Sequence, residues 1–228
     1  MSGNKGKDFV KVQVWDLPVR VLHWLLAILV AVMFISAELD NFDIHILAGK
    51  GLAIVIAARI VWGFAGSANA RFSSWIFSPR RHVEYIKSLP ERRPGYGMAH
   101  SPIGSIAVIL IYTAVVVQVT TGLISSDIDG LYEGPFAYYV SYDASHWASE
   151  IHVDHEQWLF VLVMAHLAAN AFYYLYKKDN LIAAMITGTR WVPEHIAQNA
   201  PRLVSLWRGV TVGLICAGLM LWIFYQYG

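Results

Sequence analysis

Five apolar stretches, at roughly residues 18–37, 44–65, 102–125, 152–176 and 206–226, set the terms for this chain of 228 residues. Each is close to the ~20 residues a helix needs to cross a hydrocarbon core. No water is available there to satisfy an open backbone, so each stretch must be helical. The expected fold is all-α, an integral membrane helical bundle. Composition agrees: only 14% of the residues are charged, where a soluble domain carries about a quarter, and no nucleic-acid partner is expected. Pro18 and Pro102 stand at first helical turns, where a missing N–H is harmless. The leading MSGNKGKDFVKVQVWDLP is polar and basic for too long to be a signal n-region, and no cleavage site follows, so the first span is read as retained. SPRRHVEYIKSLPERR is expected to form a short surface helix between prolines.

Lysine and arginine collect on the cytoplasmic side of short loops. Here they fall in three segments: Lys5, Lys7, Lys11 and Arg20; Arg71, Arg80, Arg81, Lys87, Arg92 and Arg93; and Lys177, Lys178, Arg190, Arg202 and Arg208. The loops at 38–43 and 126–151 have neither, and hold Glu38, Asp40, Asp43, Asp127, Asp129, Glu133, Asp143 and Glu150. The N-terminus is therefore expected in the cytoplasm and the acidic loops outside, a face that could draw in a basic partner.

Ionisable groups at membrane depth face a cavity, a partner or a cofactor. IHVDHEQWLFVLVMAHLAAN, residues 151–170, carries His152, His155 and His166. His166 lies about 21 Å below His152 at 1.5 Å per residue, and fourteen residues at ~100° return to within ~40° of the starting direction. His45 opens span two at the outer level and His23 lies early in span one at the inner level. Two imidazoles at each of two depths would suit two stacked bis-histidine haems. His155 stays open as the outer member, because eleven residues place it only ~20° off the face of His166. Small neighbours (Ala165, Ala168 and Ala169; Ala48, Gly49 and Gly51) would let a flat macrocycle approach. Arg20 and Arg59 at the inner level and Lys50 at the outer could meet carboxylates, although Lys50 and Arg59 could equally snorkel to the interfaces. The single cysteine, Cys216, excludes a disulfide and a C-x-x-C-H attachment, so any haem is held non-covalently. Trp15, Trp24, Trp62, Trp75, Trp147, Trp158, Trp191 and Trp207 read as interfacial anchors, and His82, His100, His146 and His195 are not expected as ligands.

The stretches VWDLPVRVLHW, RIVWGFAGSANARFSSW, AHSPIGSIAVI, TGLISSDIDGLYEGP and KKDNLIAAMITG, within about residues 14–190, resemble the prokaryotic cytochrome b561 family. The resemblance implies four core helices binding two b-type haems, with His23 paired to His166 and His45 to His152. It thereby favours His152 over His155. Two departures stand: Val153 follows His152 where the family often has glutamate, and Ser101 replaces asparagine in the AHSPIG block.

The organisation implied is a cytoplasmic segment at 1–17, a di-haem membrane domain at 18–190, and a connection with a fifth span at 191–228. That span, with only Thr211 and Cys216 as notable polar groups, reads as packing or a homo-oligomer contact. The function implied is electron relay across the bacterial inner membrane, from or to the quinone pool, with a periplasmic partner such as a c-type cytochrome; whether the chain is itself an enzyme stays open. Quinone is expected near Arg20, Arg59, Arg71 and His100, with His100 as proton carrier. The alternatives are a superoxide oxidase passing electrons to quinone, disfavoured by the acidic outer loops; a haem-free metal or proton transporter built on His152, Asp154, His155 and Glu156; and a structural anchor.

Overall fold

The computed structural model describes residues 9–75, 78–95, 97–126 and 132–227. Lys5, Lys7, Asp127 and Asp129 lie outside the described residues. The elements in order are strand β1 (Phe9–Gln13), α1 (Leu17–Glu38), α2 (Phe42–Ala65), α3 (Pro79–Ser88), α4 (Pro102–Ile124), α5 (Tyr142–Leu175), α6 (Leu181–Thr187), β2 (Thr189–Pro193), α7 (Glu194–Ala197) and α8 (Leu206–Tyr227). Helices α1, α2, α4, α5 and α8 are long and apolar enough to cross a membrane. The chain is a multi-pass membrane protein, and α3 is the expected surface helix.

Local chemistry sets where the helices start. Asp16, Asn41, Ser101, Ser141 and Asn180 each cap a helix by accepting a hydrogen bond from a backbone N–H three residues on, the usual role of short polar side chains at that position. Helix α5 starts about ten residues before the 152 expected from hydropathy. Ser141 caps it and Ser145 donates to the Ile124 carbonyl at 2.7 Å, so polar contacts continue the helix beyond its apolar run. Its 34 residues amount to about 51 Å at 1.5 Å each, well beyond a ~30 Å core.

α1 packs on α2 and α4 on α5, while α8 lies along α2. Val30, Leu52, Ile56, Val115 and Leu159 form the central core. Leu159 lies seven residues from both His152 and His166, so this apolar layer separates the two histidine levels. Leu47 and Phe64 (both 71% exposed) and Leu214 (69%) point outward, as lipid-facing side chains do when the solvent is hydrocarbon.

One end of the bundle, called here the basic end, carries β1, α3, α6, β2 and α7. The opposite, acidic end carries the 39–41 turn and the described parts, 125–126 and 132–141, of the connection between α4 and α5. At the basic end β1 pairs antiparallel with β2, Phe9 opposite Pro193 and Gln13 opposite Thr189. This ribbon was not expected. It ties the N-terminal segment to the chain after α6, and β2 runs across the 190/191 boundary read from the sequence. Gly188, at φ 80°, ends α6 and offers its carbonyl to the N–H groups of Val14 and Trp15. The KKDN block is structural: Lys177 donates to the Ser88 and Glu91 carbonyls, and Asp179 holds Arg190 in a bidentate pair at 2.6 Å. Trp62, expected at an interface, is instead 1% exposed, its indole N–H donating to Asp16.

Candidate functional site

At the acidic end, the rings of His45 on α2 and His152 on α5 stand opposite one another, nearly perpendicular at 87° and with centroids 6.1 Å apart. Each Nδ1 contacts a backbone carbonyl, His45 that of Met33 at 3.1 Å and His152 that of Gln118 at 3.0 Å. A carbonyl can only accept, so both Nδ1 atoms carry the proton and both Nε2 atoms keep a lone pair. That is the orientation and tautomer in which a metal-binding histidine is held by its surroundings. Ser36 and Thr121 hydroxyls lie 3.3 Å from the same nitrogens. The pair opens on a cavity of about 410 Å³ whose walls include Gly49, Lys50, Gly122 and Glu156. Gly122 is required by close approach: a Cβ there would lie 2.7 Å from Cε1 of His152.

His155 does not join this pair. Its Nδ1 lies 2.9 Å from the Gln118 side-chain oxygen, and its ring borders a separate hollow with Trp147, Asp154 and Trp158. The four residues offered as a metal entry site are thus split, with His152 and Glu156 on one cavity and Asp154 and His155 on the other. Among the described residues no three His, Cys, Asp or Glu side chains gather as a metal site.

At the basic end, the rings of His23 on α1 and His166 on α5 have centroids 6.4 Å apart. Here the surroundings differ. Asn170, one turn beyond His166, places its amide nitrogen 3.1 Å from the ring Nε2 and 2.9 Å from the His166 carbonyl. The buried side-chain polar atoms without a hydrogen-bond partner, among the described residues, all lie at this end: Nε of Arg20, Nδ1 of His23, Nη1 of Arg59, Nε1 of Trp75 and Nδ1 of His100. The Arg20, Arg59 and Trp75 nitrogens are N–H donors, costly to leave buried and unmatched, and together they call for a ligand rich in acceptors. Arg59 is only 4% exposed, with Phe72 and Tyr112 rings 5.5 and 5.2 Å from its guanidinium. It does not snorkel. Arg20 is partly committed, because its Nη1 donates to the Ile186 carbonyl at 2.7 Å. Arg71 is exposed and braces Gly66.

His100 stacks beside Trp15 with ring centroids 5.0 Å apart. Burial, then the positive charge of Arg59 and the nearby His23 and His166, push its pKa down to about 4. A proton carrier poised near neutrality was expected; the structure holds instead a ring that is neutral at pH 7, since burial disfavours its charged form. His82 is taken up by the Ser78 and Pro102 carbonyls, and His146 lies 3.6 Å from Glu150.

Facing imidazoles inside a membrane bundle define a class. Rings roughly 6 Å apart would leave room for a metal ~2.0 Å from a nitrogen of each, so His45 with His152, and His23 with His166, would be able to hold the iron of a haem. A planar macrocycle fits between such rings, and without a Cys-pair attachment motif it is held non-covalently. The fold and site are those of a b-type membrane cytochrome.

Comparison with known proteins reaches the same result. The family model described as prokaryotic cytochrome b561 matches residues 14–188, and the chain belongs to that family. Haem binding and electron transport follow from this membership. Similar proteins include a probable Ni/Fe-hydrogenase B-type cytochrome subunit of Bradyrhizobium diazoefficiens, 25% identical over 223 residues (83% of this chain, 90% of the relative). A probable Ni/Fe-hydrogenase 1 B-type cytochrome subunit of Escherichia coli K12 is 25% identical over 222 residues (82% and 93%). A third, from Rhodobacter capsulatus, is 22% identical over 217 residues (78% and 81%).

The residues present fit the group. At the acidic end the ring spacing, both tautomers, the cavity and the glycine at the ring edge suit a haem. At the basic end the ring spacing and the unmatched donors suit haem and its propionates, and the Asn170 amide must turn away for iron to reach Nε2 of His166. Gln118, Thr121, Gly122 and Asn170 were not singled out from sequence. Gln118 left a usable trace as the one carboxamide in α4.

Proposed function

We propose that the chain is a di-haem electron relay, with one haem between His45 and His152 and the other between His23 and His166. The observation that carries this is the pair of facing rings at two levels of one continuous helix, at 6.1 and 6.4 Å. Haem would supply a one-electron carrier, and His45 with His152 and His23 with His166 would hold it. The chain supplies the tautomers through Met33 and Gln118, and cations for propionates through Arg59 and Arg20 at the basic end and Lys50 at the acidic end. The basic end faces the cytoplasm across a bacterial inner membrane, a reading the lysine and arginine distribution supports. Quinone exchanges electrons at the basic end. A periplasmic redox protein, of the hydrogenase kind in the names of the relatives or a c-type cytochrome, does so at the acidic end.

The deciding experiment is the haem b to protein ratio with a reduced-minus-oxidised spectrum. A ratio near two with low-spin bands is expected; a ratio near one, or none, would overturn the di-haem reading. In His166→Leu only the basic-end haem should be lost, and loss of both or neither would contradict the pairing.

A further inference from the structure

The fifth membrane helix has a place in this site beyond packing. We propose that Phe224 of α8 is a positioning residue for the acidic-end haem, acting through Lys50; the inference rests on the di-haem reading above. Near its C-terminal end α8 turns Phe224 inward, leaving it 7% exposed in a helix whose other aromatics face out. The ring stacks on Phe136 with centroids 5.6 Å apart and 14° between planes. The ammonium of Lys50 stands 5.5 Å from the same ring's centroid. Lys50 and His45 line one cavity with His152, so the cation held by Phe224 borders the space the haem would fill.

A lysine has a long flexible stem and a strongly hydrated head. At the rim of a membrane bundle its default is to reach outward to water. Among the described residues Lys50 makes no ion pair within 4 Å, and none of their carboxylates fixes its direction. The face of Phe224 attracts the ammonium through the ring quadrupole, and Phe136 fixes the ring from behind. A positive charge kept beside the haem favours the reduced state, which carries one positive charge less, and in low dielectric that influence is large. Phe224 thus raises the acidic-end potential only through Lys50.

The test is a redox titration of the purified protein, with the acidic-end wave identified by its absence in His152→Leu. Lys50→Gln should lower that wave. Phe224→Leu should lower it in the same direction, by about threefold in the reduction constant, or ~28 mV at 59 mV per tenfold. Phe224→Tyr should restore it, and Phe224→Leu should add nothing in the Lys50→Gln background. Phe224→Met serves the same comparison if the leucine variant fails to accumulate. A shift that persists without Lys50, or no shift with it, would overturn the inference while leaving two haems in place. A wild-type protein with one wave would overturn the di-haem reading itself, and this inference with it.

Discussion

Replacing His152 by leucine is expected to halve the haem content, from two per chain to one, whereas His155→Leu should leave both haems in place. The two residues are less than one helical turn apart, ~60° around α5, yet line different cavities. His152 has its ring 6.1 Å from that of His45, its Nδ1 on the Gln118 carbonyl, and Gly122 cut back to admit its edge. His155 contacts only the Gln118 side chain and sits among Trp147, Asp154 and Trp158 on the other side. Leucine at 152 removes the proposed haem ligand and fills the approach to the cavity with apolar bulk. At 155 it removes one hydrogen bond, net ~1 kcal/mol, and the Gln118 amide nitrogen keeps its bond to the His152 carbonyl at 2.8 Å. Haem extraction against protein mass reads the difference directly. Equal losses in the two variants would mean that α5 does not hold this register.

Asp16→Ala should cost about 3–7 kcal/mol, a sum of ~1 for a lost N-cap and ~1–3 for each of the two other buried donors left unmatched. The carboxylate is 4% exposed. It accepts from the Val19 N–H at 2.7 Å, from the Trp62 indole at 3.2 Å and from the Ser67 N–H at 3.4 Å. It therefore closes the start of α1 against the end of α2 and the loop that follows. Gly66 is held tightly in that corner, where a Cβ would meet the Trp62 carbonyl at 2.5 Å. Thermal unfolding in detergent, followed by haem release at the basic end, should show the loss. Asp16→Asn, which keeps one acceptor oxygen, should lose less. An unchanged melting temperature in Asp16→Ala would mean water substitutes for the carboxylate.

The spans were legible because a bilayer leaves the backbone only one solution, and depth was legible because a helix advances by a fixed rise. Those two facts place His45 level with His152 and His23 level with His166 before any contact is known. Angle alone could not choose between His152 and His155. It measures direction around an isolated straight helix, and the choice lies with Gln118 and Gly122 on a neighbouring one. The start of α5 was missed because hydropathy reports burial in lipid, and Ser141 and Ser145 extend the helix by hydrogen bonding outside it. Arg20 read simply as a cation, and nothing local shows that one of its nitrogens is committed to Ile186. The FVKVQ alternation is visible, but five residues are a weak strand signal, and its partner lies about 180 positions away.

That separation has a consequence for how the protein is made. Strand β1 leaves the ribosome first, and β2, which it must join, emerges only after α1, α2, α4 and α5. At ~5–20 residues per second the interval is roughly 10–40 s. Until then the N-terminal strand has no mate, and the ribbon at the basic end is unfinished. The ribbon acts as a late-fastening latch, closing the basic end of the bundle only after the four membrane helices before it have been made.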